Sequence, residues 1–114
     1  MSQNDIREIE VSIEEAKKIA KRAERVRRLE KNPDFKALIL EGYFTEEAAR
    51  LAHLVTDPQV IQGGHLDFVQ NDLKGIGALK RFLTATLQLG DIAAQEVKEY
   101  QEALEEIRAE EDVE

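Results

Sequence analysis

Between Gln3 and Lys31 the chain contains neither a glycine nor a proline. The stretch is rich in Glu, Lys, Arg, Ala and Ile, and this composition predicts one long helix, about 43 Å from end to end at 1.5 Å per residue. Ile6, Ile9, Ile13, Ala16, Ala20 and Ala23 recur along it at alternating separations of three and four, the spacing of a coiled-coil seam. Ile19, Val26 and Leu29 fall on a neighbouring line as the stripe drifts around the helix. So long and narrow a seam outruns any core that a small chain builds beside it. The first half of the helix is therefore expected to protrude unless a partner chain or a second long helix covers it.

The remaining punctuation is sparse. With 114 residues, 35% of them charged and only 5% aromatic, the chain reads as a single domain of charged helices rather than a sandwich or barrel. Asn32-Pro33 breaks the first helix, because the residue before proline disfavours helical backbone. Asn32 is then the expected cap of a short helix from Pro33 to Glu41, with Gly42 as its left-handed terminus. Thr45 opens another, with Glu46 and Glu47 in its first turn, and Thr56-Asp57-Pro58 closes it. Residues 59–66 read as a loop hinged at Gly63-Gly64.

From Asp67, a candidate cap, Val69, Leu73, Ile76, Leu83 and Leu87 are spaced for a helix ending near Leu89-Gly90. Asp91 is placed to cap a last helix carrying Val97, Tyr100, Leu104 and Ile107. The expected architecture is all-α within one domain, 1–114: a long N-terminal helix (1–31), two short central helices and a glycine-rich loop (32–65), an antiparallel helical hairpin (66–111) and a frayed tail (112–114).

No pattern here announces chemistry. There is no cysteine, so neither a disulfide framework nor a thiolate site exists. The glycines of Gly75-Ile76-Gly77 follow no strand and lack the GK[ST] ending of a phosphate-binding loop. They are better explained as a flat surface that lets another helix, of this chain or a second copy, approach closely, which offsets the roughly 1 kcal/mol that an interior glycine costs. His53 and His65 sit in neither HExxH nor the ExxH of di-iron bundles. Paired acids such as Glu14-Glu15 point different ways around a helix and are normally solvated. We therefore expect no catalytic, cofactor-binding or metal-binding residues, and no small-molecule substrate. The N-terminal MSQNDIREIE contains no apolar run of the signal-peptide kind, and no stretch of about 18 apolar residues suggests a membrane span. A soluble protein of intracellular origin is expected.

Charge is distributed unevenly. The net value of −8 conceals one base against five acids in residues 1–16, nine bases against three acids in 17–36, and two bases against ten acids in 91–114. Lys18, Lys21, Arg22, Arg25 and Arg28 could meet phosphates of a nucleic acid. No aromatic residues interleave with them, and the favoured reading is that the basic block meets the acidic final helix through rim ion pairs. These would choose orientation more than they stabilise. Carboxylates at helical spacing in that last helix could also imitate a phosphate row.

The runs NPDFKALILEGYFTEEAARLAHLVTDP and LKGIGALKRFLTATLQLGD resemble a group of small all-helical proteins that tailed bacteriophages encode among their virion genes. The likeness covers about residues 25–108, through the Asn-Pro-Asp-Phe opening, the Glu-Gly-Tyr-Phe turn and the Gly-Ile-Gly helix. The resemblance implies a structural or assembly component of the phage head, assembled in the bacterial cytoplasm and resident in the virion, with no catalytic residues to carry over. Ile9, Ile13, Ala16, Ala20 and Ala23 are the candidate interface on the first helix, and Gly75 and Gly77 permit close packing in the hairpin. The expected partners are further copies of the chain or a capsid. The alternative is a regulatory protein that contacts nucleic acid through residues 17–31 or mimics DNA with its acidic last helix.

Overall fold

Gly90, expected to end a helix, instead lies inside one. In a computed structural model that describes residues 3–113, a single helix α5 runs from Leu66 to Val113. The antiparallel hairpin expected at 66–111 is therefore absent. Asp91 is an interior residue of α5 rather than a cap, and Asp67 lies in its first turn. The physical reason is that no proline follows Pro58, and glycine alone weakens a helix by only about 1 kcal/mol, which packing can offset. Of the tail expected to fray, residues 112 and 113 continue the helix; Glu114, like Met1 and Ser2, lies outside the described residues.

The other elements are α1 (Gln3–Lys31), α2 (Pro33–Phe35), a π-helix (Lys36–Glu47), α3 (Ala48–Val55) and α4 (Pro58–Gln62). Among the described residues there is no strand, so the all-α expectation holds. Asn32 caps α2 as its sequence predicts, its side-chain oxygen accepting from the N–H groups of Asp34 at 2.9 Å and Phe35 at 3.1 Å. Asp57 caps α4 in the same way, accepting from Gln59 N–H at 2.9 Å. The loop read at 59–66 is thus mostly helical, and only Gly63 to His65 turn. Gly64 takes the left-handed backbone, with φ 75°. Bonds from His65 N–H to the Val60 carbonyl (3.0 Å) and from Gly64 N–H to that of Ile61 (3.3 Å) complete a Schellman terminus.

Gly42 does not terminate anything. Helical backbone passes through it, and the helix expected to restart at Thr45 is already under way. The Thr45 hydroxyl donates to the carbonyl of Leu40, five residues back, at 3.1 Å. The apolar spacing explains the widened turn. Ile39, Tyr43, Phe44 and Ala48 are separated by four, one and four residues, and the i→i+5 register of a π-helix gathers such a set onto one side.

Two compact units make up the chain, residues 3–26 with 86–113 and residues Arg27–Ala85. Each has its own core. In the second, Leu51, Val69 and Ile76 are buried, with Tyr43, Phe44, Ala48, Leu54, Val55, Val60 and Leu73 packed around them. The Tyr43 and Phe44 rings meet at 6.0 Å. The first unit is a two-helix coil. Ile13, Ala16, Ala23 and Val26 are buried on α1, and Gly90, Ala93, Leu104 and Ile107 on α5. A second long helix thus covers the α1 seam, and Ile9 and Ala20 at its edges are half-buried.

Ala23 lies against Gly90 and Glu10 against Arg108, so the two helices run antiparallel. At the first pair they are very close. A Cβ on Gly90 would overlap the Ala23 methyl and stand 3.4 Å from Ala23 Cα and 3.5 Å from the Ile19 carbonyl oxygen.

Gly90→Ala should therefore destabilise the chain, because overpacking of about 1–3 kcal/mol exceeds the gain of about 1 kcal/mol in helix propensity. Ala23→Gly in the same chain should recover part of the loss. Gly77→Ala should instead stabilise by about 0.5–1 kcal/mol, since its new methyl would meet only the mobile end of Arg81, at 3.1 Å from Nη1. Urea unfolding followed by circular dichroism reads all three. Equal stabilisation by both glycine replacements would contradict the close crossing.

Candidate interaction surfaces

The five α1 residues expected to form an interface, Ile9, Ile13, Ala16, Ala20 and Ala23, all lie on the seam that α5 covers. Ile13, Ala16 and Ala23 are buried within the first unit, and Ile9 and Ala20 are half-buried at the edges of the seam. Gly75 and Gly77 stand differently again. A Cβ on Gly75 would come no nearer than 3.9 Å to any neighbour, the Tyr43 hydroxyl, and one on Gly77 would meet only Arg81 of its own helix. Neither glycine is at a helix crossing within the chain, so the close packing expected of them in a hairpin is overturned.

Gly90 is the residue the sequence reading missed. The signal was present: counting back from Tyr100 and Val97 by four and then three lands on Ala93 and Gly90, in phase with the seam. Treating a glycine before an aspartate as a terminus hid it.

The charge arrangement also departs from expectation. Because the coil is antiparallel, the acidic end of α5 lies alongside the acidic start of α1, not alongside the basic block. Arg108 pairs with Glu10 at 3.7 Å, a base of the last helix reaching an acid of the first. Around that end stand Asp5, Glu8, Glu14, Glu15, Glu102, Glu105, Glu106 and Glu110. Lys18, Lys21, Arg22 and Arg25 are exposed in the first unit and Arg28 in the second. The basic block lies instead alongside the start of the expected last helix, since Ala23 sits on Gly90, next to Asp91.

Two depressions mark the surface of α1, of about 520 Å³ between Arg7 and Lys18 and about 590 Å³ between Asn4 and Ser12. Each is lined by side chains of α1 alone and opens to solvent. At the junction of the π-helix and α3, Arg50 donates a hydrogen bond to Glu47 one turn away. That bond holds the Glu47 carboxyl below the usual carboxylate range and raises the Arg50 guanidinium. The Arg50 side chain is largely exposed and that of Glu47 partly so, and the pair is a surface feature of small energetic weight.

His53 and His65 are exposed. No grouping of metal-ligating side chains occurs among the described residues, and no described helix is long and apolar enough to cross a membrane. What the surface does present is apolar. Leu38 is 71% exposed, Phe68 70% and Phe82 65%.

Like charges gathered at one end of the two-helix coil should repel at low ionic strength. Raising salt until the Debye length falls from about 30 Å to about 8 Å should therefore raise the thermal midpoint. Glu105→Lys should raise it at low salt and weaken the salt response. A midpoint that falls with added salt would mean that attractive pairs dominate the coil.

No protein-family model, curated protein or solved structure matches this chain, so its surfaces are interpreted from their own chemistry.

Proposed function

We propose that this is a non-enzymatic assembly protein that acts by docking helix against helix. The observation that carries the reading is the exposed apolar face of α5, where Phe68 and Phe82 stand out from the surface while the same helix packs its other side into the core through Val69 and Ile76. A helix that buries one apolar side in its own core and exposes large apolar side chains on another is suited to docking against a further surface. The resemblance to virion-gene proteins of tailed phages supports a place in the phage particle, at the head, with a capsid or further copies of the chain as partner.

A second reading rests on the exposure of Lys18, Lys21, Arg22, Arg25 and Arg28. In that reading the basic block meets phosphates. The acidic last helix, with Glu102, Glu105 and Glu106 exposed, offers the converse, a surface for the basic groove of a host enzyme.

Mass analysis of purified virions should recover the chain at a fixed copy number per particle. Its absence from particles, together with failure of capsid proteins to bind it, would defeat the docking reading. Duplex DNA titrated at several salt concentrations separates the second reading, for which log affinity would fall with log salt by about 0.9 per phosphate contact. Lys18→Glu with Arg22→Glu would then abolish binding. In the docking reading neither substitution alters incorporation into particles.

A further inference from the structure

We draw no further inference here: the strongest candidate, the exposed basic face of α1 at Lys18, Lys21, Arg22 and Arg25, belongs to the surface already described, and nothing in the structure shows what covers it.

Discussion

The contact between Gly90 and Ala23 is the constraint from which most of the structure follows. Two small residues let α1 and α5 approach until no side chain fits between them, and the approach fixes where along each helix the pair meets. Once Ala23 is seated on Gly90, the antiparallel direction brings Ile13 and Ile9 toward the end of α5 that carries Leu104 and Ile107. Small residues thus pair where the helices are closest, and large ones fill the space beyond. The same contact explains why α5 is unbroken. A glycine in mid-helix is a weakness only when nothing rewards the missing side chain, and here the reward is the packing of the whole coil.

Register fixed by packing overrides the preference of the charges. Rim ion pairs between the basic block and the acidic tail would each contribute about 0–1 kcal/mol, whereas burying the methyl groups of the seam contributes about 0.8 kcal/mol for each carbon removed from water. Several such carbons outweigh the pairs, and the helices settle with acid beside acid. Net charge therefore concentrates in the two-helix coil and leaves the second unit neutral. The repulsion this stores is tolerable because exposed carboxylates remain hydrated and are screened within about a Debye length.

Much of this was legible in the residues before any coordinates. Asn32 and Asp57 before their prolines announce helix starts, and the three-four spacing of Ile6 to Ala23 announces a seam in need of a partner. What the residues left ambiguous is which partner, because a seam of isoleucine and alanine fits a second copy as well as a helix of the same chain. Glycine was the harder letter. Gly42, Gly75, Gly77 and Gly90 all lie within helices, and only Gly64 uses a left-handed backbone. Local chemistry cannot separate these cases, since the deciding atom, the Ala23 methyl, lies far away along the chain. The π-helix was misread for a related reason. Its apolar residues follow a four-one-four spacing that neither of the usual helical templates fits, so a break was inferred where the backbone only widens.

The two units use their apolar residues in different ways. In the coil the three-four seam is consumed by folding, since what looked like an interface on α1 is the core itself. Around α5 in the second unit, Val69 and Ile76 close the core against Leu51, while Phe68 on the same helix is 70% exposed. Leaving two phenylalanines more than half exposed forgoes part of the roughly 1.5–3 kcal/mol that full burial of each would supply. The net charge of −8 falls in the coil while the second unit carries equal numbers of acids and bases, and helix α5 runs through both.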